Sequence, residues 1–382
     1  MILPHGGRLV NRIVAKGTKN SLAKRASGLY KIKISKEHVQ ELVNIATGLF
    51  SPLEGFLSRR DLSSVLNKKR LANGVTWTVP IVLDIPAFIY PEIKKEKKLS
   101  LMDDKGIVLA LMDVDDVYRY DKRNFAKRLY GTTDTSHPGV DKVFKMGQYL
   151  IGGKIKLIDM PEYEFSKYTL TPRETRERFK SLGWERIVAF QTRNVPHMGH
   201  EYVQKTALSY VDGLFINPVI GRKKKGDFKD KVIIETYEKL IKNYYQRDHV
   251  FLSVLQMEMR YAGPREAIHH AIIRKNFGCT HIIIGRDHAG VGDFYHPFAA
   301  HEIFNEFPDL EIKPIFFKSF FWCNHCKGVA NDKTCPHKGK DIENFSGTKI
   351  RGMLESGKVP SDKLMRPEIA KTILKYKHPF VE

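Results

Sequence analysis

RIVAFQTRNVPHMGHE, residues 186–201, decides the fold. Ile187 to Phe190 form an apolar run of strand length, a polar loop follows, and EYVQKTALSYV then continues with helical periodicity. That succession puts the loop at the carboxyl end of a strand and the amino end of a helix. Open α/β sheets bind anions there, because backbone N–H groups are unpaired and the helix dipole favours negative charge. Arg193 adds a planar fork of donors suited to a tetrahedral oxyanion, and Gln191, Thr192 and Asn194 add neutral hydrogen-bonding groups. His197 and His200 lie three residues apart, so a helix beginning near Pro196 projects both rings from one face of its first turn. Two imidazoles so placed can donate hydrogen bonds to oxygens that gain charge in a transition state. A lone His would more often be a satisfied cap or core residue. Two in register after a strand point to a site.

Working outward, GLFINPVIG, VFLSVLQM, THIIIG and IKPIFF repeat the strand signal after Arg186, with amphipathic stretches between them, which predicts a doubly wound parallel sheet of the α/β class. Residues 1–170 differ: Pro and Gly punctuation (SPLEGF, SHPGV, LIGGK) and short strand-like runs (VTWTVPIVLDI, GIVLALMDV) predict a separate, mostly β domain. TPRETRERFKSLG (171–183) reads as a linking helix, with Thr171 as N-cap, Pro172 at the first helical position and an acidic residue in the first turn. The predicted division is 1–170, 171–320 for the sheet domain, and 321–382 for a small C-terminal helical region.

A chain of 382 residues is long enough for more than one core, and 42% hydrophobic with 28% charged residues excludes a disordered chain. No run approaches the length that spans a bilayer, and MILPHGGRLVNR lacks the apolar core of a signal peptide, so a cytoplasmic location without membrane contact is expected. The net charge of +21 fits a polyanion-gathering site or a nucleic-acid surface, but much of the excess sits in KKEKK (94–98) and RKKKGD (222–227), which read as solvated faces.

GCTHIIIGRDHAGVGDFY (278–295) has the same design as the first motif, a buried strand emptying into a polar loop that carries Gly285, Arg286, Asp287, His288, Ala289 and Gly290. FSGTKIR (345–351) offers Ser346, Thr348 and Lys349 at a third helix start, where an ordinary N-cap is the competing reading. WCNHCKGVANDKTCPH (322–337) spaces Cys323, Cys326 and Cys335 as C-x2-C-x8-C with His337 two residues later, the donor set of a closed structural Zn²⁺ site in a reducing compartment. His325 is the rival fourth ligand, although a short C-x2-C turn points its central side chains outward.

The HxGH element at the end of a first strand is a mark of the nucleotidyltransferase superfamily, and the longer QTRNVPHMGHE closely resembles the signature of the ATP sulfurylase family. GRDHAG resembles that family's second signature, and YAGPREAIHHAIIRKNFGCTH extends the likeness through a full helix. PHGGRLVNR (4–12), NIATGLFSPLEGFL (44–57), YGTTDTSHPGV (130–140) and YLIGGKI (149–155) carry it through the first domain. The resemblance implies a PUA-like N-terminal domain, a nucleotidyltransferase central domain and a homodimer or higher homo-oligomer. It implies ATP and sulfate as substrates, adenylylsulfate and pyrophosphate as products, and Mg²⁺ carried by ATP and pyrophosphate. In it, sulfate binds Gln191, Arg193 and the backbone at Ala289. ATP lies across residues 191–194 and 285–288, and Thr192, Arg193, Asn194, His197 and His200 carry catalysis. No GxxxxGK[ST] loop is present, so an accompanying kinase activity is not expected. Two rivals remain: adenylyl transfer to another acceptor, which would not need Arg193 with Ala289, and an RNA-binding protein, which leaves both signatures unexplained.

Overall fold

The computed structural model describes residues 1–223 and 225–382; Lys224, inside the second lysine run, lies outside the described residues. Packing forms two compact units. One comprises Met1–Phe179, Met259–Gly278 and Asp287–Lys313; the other comprises Lys180–Glu258, Cys279–Arg286 and Pro314–Glu382.

This grouping differs from the stretches expected from the sequence, and the helix Pro264–Phe277 shows why. Its residues Arg265 to Phe277 are all buried, charged ones included, and their partners lie early in the chain. Arg265 donates to the Val65 and Leu66 carbonyls at 3.2 and 2.8 Å, and Asn276 donates to the Leu49 carbonyl at 2.9 Å. Buried polar groups left without such bonds would cost several kcal/mol, so the helix goes where its partners are.

The second unit holds the expected parallel sheet. Its strands are β1 (Ile187–Thr192), β2 (Gly213–Ile220), β3 (Val250–Leu252), β4 (Leu255–Gln256), β5 (His281–Ile284) and β6 (Lys313–Phe316), ordered β4-β2-β1-β5-β6 with β3 also on β2. The pairs β1–β2, β2–β3, β2–β4 and β1–β5 are parallel. Every residue of β2 is buried, as a central strand's continuous apolar run requires. Helices Met198–Leu208, Asp230–Tyr244, Gly347–Glu355 and Pro367–Leu374 contribute Val203, Val232, Ile233, Tyr237, Ile350, Leu354, Ile369 and Ile373 to one core with Val188, Phe190, Leu214 and Ile216. Each such side chain is worth about 1.5–3 kcal/mol when fully buried. That exceeds the few tenths separating helix propensities, so packing sets these elements. The order of strands reverses between β1 and β5, the topological switch point outside whose carboxyl ends ligands bind.

C-terminal to β6, Phe321–Cys323, Gly328–Ala330 and Ile342–Asn344 make a small antiparallel sheet, with Phe321 opposite both Ala330 and Asn344.

The first unit is built on a mixed sheet of Tyr30–Lys33, Lys98–Met102, Val108–Arg119 and Tyr149–Leu157, with Gly55–Phe56 and Leu83–Ile85 added to the last strand. A Cβ on Gly55 would stand 1.8 Å from the Gly153 carbonyl oxygen, so both SPLEGF and LIGGK carry glycine where two backbones meet. Capped helices that the punctuation did not isolate accompany this sheet, with Ser35, Ser58 and Asp121 accepting first-turn N–H groups. The linking helix is as expected: the Thr171 hydroxyl accepts the Glu174 N–H at 3.3 Å while the Glu174 carboxylate accepts the Thr171 N–H at 2.8 Å. No described helix is long and apolar enough to cross a membrane.

Candidate active site and metal centre

β1 delivers Gln191 and Thr192 at its carboxyl end. Thr192 then closes the loop on itself: its hydroxyl accepts the Asn194 N–H at 3.0 Å and donates to the Asn194 carbonyl at 3.2 Å. Thr192 is buried, Gln191 and Arg193 are half-buried and Asn194 is exposed.

The helix starts at Met198, two residues later than its sequence suggests, and His197 is the N-cap. Its Nδ1 accepts the His200 N–H at 3.3 Å, and the two rings stack at 3.7 Å with 20° between their planes. Burial, then the neighbouring His200, drives the His197 pKa well below its ordinary value, and burial pushes His200 down to about 4. Both rings are therefore neutral at pH 7. Because Nδ1 of His197 is a hydrogen-bond acceptor, its proton sits on Nε2 and that nitrogen is a donor.

Side chains from distant positions hold this pair. Phe345 lies 5.7 Å from the His197 ring at 12°, and Phe320 lies 5.9 Å from Phe345. A Cβ on Gly199 would stand 2.3 Å from the Phe320 ring and 3.0 Å from His197 Cε1, so any other residue there must displace an aromatic ring. Glu201 is buried, and Arg366 grips its carboxylate with two nitrogens at 3.0 and 2.8 Å. Arg366 is the N-cap position of the helix Pro367–Leu374. None of Phe320, Phe345, Glu201 or Arg366 stood out in the sequence. The acidic residue directly after HxGH, with no local cation other than Lys205, was the available signal.

At the switch point Gly285 and Arg286, the latter exposed, follow the end of β5, in the same unit as Gln191, Thr192, Arg193, Asn194, His197 and His200. The loop continues into the other unit with Asp287, His288 and Ala289. Asp287 and Ala289 both lie in the left-handed region, at φ 54° and 59°, and a Cβ on Gly290 would stand 2.0 Å from the Asp287 carboxylate. His288 Nε2 is 3.1 Å from His270 Nδ1, and burial lowers its pKa to about 3. In the third motif the cap reading holds: Ser346 accepts the Lys349 N–H at 3.2 Å, and the Lys349 ammonium pairs with Glu343 at 2.9 Å.

The side chains of Cys323, Cys326, Cys335 and His337 present ligand atoms within 4.8 Å of one another. Sγ of Cys326 and Cys335 are 3.8 Å apart, and the three sulfurs lie 3.5, 3.3 and 3.4 Å from His337 Nδ1. A tetrahedron with metal–sulfur bonds of about 2.3 Å and a metal–nitrogen bond of about 2.0 Å has edges of about 3.8 and 3.5 Å. The donor set fits a closed metal site, with His337 as the fourth ligand. The Cys326 N–H, pointing to Cys323 Sγ at 3.3 Å, supports the thiolate form.

A doubly wound parallel sheet with a histidine-x-glycine-histidine turn after its first strand defines a nucleotidyltransferase of the HxGH class. Residues 166–376 match the ATP-sulfurylase family and residues 2–160 match the PUA-like domain. The chain belongs to the ATP-sulfurylase family. It is 52% identical over 379 residues to the sulfate adenylyltransferase of Pyrococcus abyssi and 51% identical over 379 residues to that of Thermococcus onnurineus, in each case across 99% of both chains. It is 50% identical to the sulfate adenylyltransferase of Cenarchaeum symbiosum over 382 residues. Among solved structures it superposes on a hexameric APS kinase from Thiobacillus denitrificans with a TM-score of 0.77, covering 99% of this chain and 69% of that one at 22% identity, which shows the shared fold.

Proposed function

We propose that the chain transfers the adenylyl group of ATP to sulfate, giving adenylylsulfate and pyrophosphate, and that it runs the reaction in both directions. The observation that carries this reading is the stacked, neutral His197–His200 pair beside the Gln191–Asn194 loop at the switch point, in a chain whose full-length relatives are sulfate adenylyltransferases.

A sulfate oxygen attacks the α-phosphorus in line, the bond to the α–β bridging oxygen breaks, and its electron pair leaves with pyrophosphate. Sulfate is already deprotonated, so no general base is needed and positioning with charge stabilisation suffices. Gln191 and Arg193 orient sulfate. Thr192 and Asn194 shape the turn between them. His197, through Nε2–H, donates to the phosphate oxygens that gain charge, and the neutral His200 ring stacked on it holds it in place. Gly285 and Arg286, followed by Asp287 and His288, receive the nucleotide. Mg²⁺ carried by ATP or pyrophosphate would neutralise phosphate charge, in keeping with its preference for phosphates and waters over protein cages. Cys323, Cys326, Cys335 and His337 would hold a structural Zn²⁺. The enzyme acts in the cytoplasm as a homo-oligomer.

The test supplies adenylylsulfate and pyrophosphate and measures ATP, then supplies ATP with molybdate and measures pyrophosphate. Turnover is expected in both, and absence of both overturns the reading. Arg193→Ala, folded as the parent, is expected to lose at least 100-fold in turnover; near-normal activity would remove sulfate binding from Arg193. ATP formed with other acyl adenylates but not with adenylylsulfate would transfer the chemistry to another acceptor.

A further inference from the structure

The helix Pro264–Phe277 spends buried charge on a place the proposed chemistry does not itself use. Glu266 and His270 are both fully buried. Glu266 Oε1 accepts the Arg260 N–H at 2.9 Å and Oε2 accepts the Ala262 N–H at 3.0 Å, so the carboxylate is fixed by backbone on both oxygens. His270 Nε2 lies 3.4 Å from Glu266 Oε1, and His270 Nδ1 lies 3.1 Å from His288 Nε2. The chain ends in the strained loop: Asp287 and Ala289 have positive φ, and the Gly263 N–H, next to the start of the same helix, donates to the Ala289 carbonyl at 3.1 Å.

Proton placement along this chain is determined by the carboxylate. A lone pair on His270 Nε2 would face a negative oxygen, so the proton sits there and leaves Nδ1 as an acceptor. His288 must then donate from Nε2, and its remaining nitrogen, Nδ1, is a lone pair. His288 has a pKa lowered to about 3 by burial, so the ring is neutral and the tautomer argument applies at pH 7.

We propose that Glu266 and His270 are positioning residues that hold His288, between the left-handed residues Asp287 and Ala289, as its Nε2–H tautomer. His288 then presents Nδ1 as an acceptor. It suits a donor on the nucleotide, a ribose hydroxyl or an amine, and not a phosphate oxygen, which divides its role from that of His197. The inference rests on the adenylyl-transfer reading for its kinetic arm and is independent of it for its spectroscopic arm.

Imidazole ¹⁵N shifts of the ligand-free protein are expected to show His288 as the Nε2–H tautomer, and Glu266→Gln, which cannot accept both backbone N–H groups with its amide nitrogen, is expected to mix the tautomers. Orientation partners of this kind typically carry 10- to 100-fold in activity. Glu266→Gln and His270→Gln are each expected to lose that much in kcat/KM for ATP formation, and the double variant no more than either alone, because the residues act as a unit. A wild-type His288 found as the Nδ1–H tautomer overturns the proposal, and so does a folded Glu266→Gln with parental kinetics. Should the buried variants fail to fold, His288→Asn, at the half-buried end of the chain, is expected to lose 10-fold or more. Parental kinetics for it would equally overturn the proposal. A wild-type chain without adenylyl transfer would fail the functional reading while leaving the tautomer result to stand or fall by itself.

Discussion

Two glycines in the helices of the second unit make a paired experiment. Gly199 and Gly352 both have ordinary helical φ, so alanine at either should gain about 1 kcal/mol from helix propensity. Their surroundings differ. Nothing lies within 4 Å of a Cβ at Gly352, whereas at Gly199 the Cβ would meet Phe320 Cε2 at 2.3 Å, Phe320 Cδ2 at 2.7 Å and His197 Cε1 at 3.0 Å. Overpacking of this kind costs about 1–3 kcal/mol, which offsets or exceeds the propensity gain. Phe320 is half-buried and can yield, but it moves only by disturbing Phe345, which is stacked on His197. The larger effect should therefore be kinetic if His197 acts as proposed: displacing a catalytic ring by about 1 Å costs on the order of 100-fold. Gly352→Ala is expected to raise the unfolding midpoint by about 2–4 °C with unchanged ATP formation. Gly199→Ala is expected to lower it by up to a few degrees and to lose about 100-fold in kcat. A Gly199→Ala protein that gains stability like Gly352→Ala and keeps its kcat would show that aromatic crowding is not why HxGH carries glycine.

Cys335→Ser, or chelation, is expected to remove one Zn²⁺ per chain by elemental analysis and to lower kcat as well as stability. The strands Phe321–Cys323 and Ile342–Asn344 pair within the small sheet, and the residues flanking them, Phe320 and Phe345, are the aromatic pair beside His197. Unchanged kcat in metal-free, folded protein would refute that coupling. His269 is fully buried between Phe50 and Trp77, at ring distances of 5.3 and 5.2 Å, with neither nitrogen hydrogen-bonded among the described residues. His269→Leu is expected to stabilise the protein by about 1–2 kcal/mol in urea unfolding; a loss of stability would show that the ring has a partner. Acid is expected to weaken the fold early. Burial lowers the pKa values of His5 and His200 to about 4 and that of His288 to about 3, and holds His197 and His269 well below the ordinary value. The unfolded chain binds these protons near pH 6.5 and the native state does not. Stability is therefore full above about pH 6.5 and falls as pH drops below it, by up to about 1.4 kcal/mol per pH unit for each histidine. Urea midpoints that do not change between pH 7.5 and 5.5 would contradict this.

What the sequence made legible is what repeats locally. The strands after Arg186 were visible because a buried parallel strand needs an unbroken apolar run, and the metal ligands were visible because three thiolates and an imidazole need close spacing. Packing partners have no such signature. Arg366 reaches Glu201 across 165 residues, and the buried carboxylates, histidines and arginines of 259–278 read as an ordinary polar helix until their partners near residues 41–66 are in place. For that reason composition could not foresee that this helix would group with the first unit. At His197 the sequence posed a choice between capping residue and catalytic residue, and the structure shows the cap. The cap is made by Nδ1. Capping therefore consumes the lone pair and places the proton on Nε2, so the cap leaves the ring a donor, as the proposed role on phosphate requires.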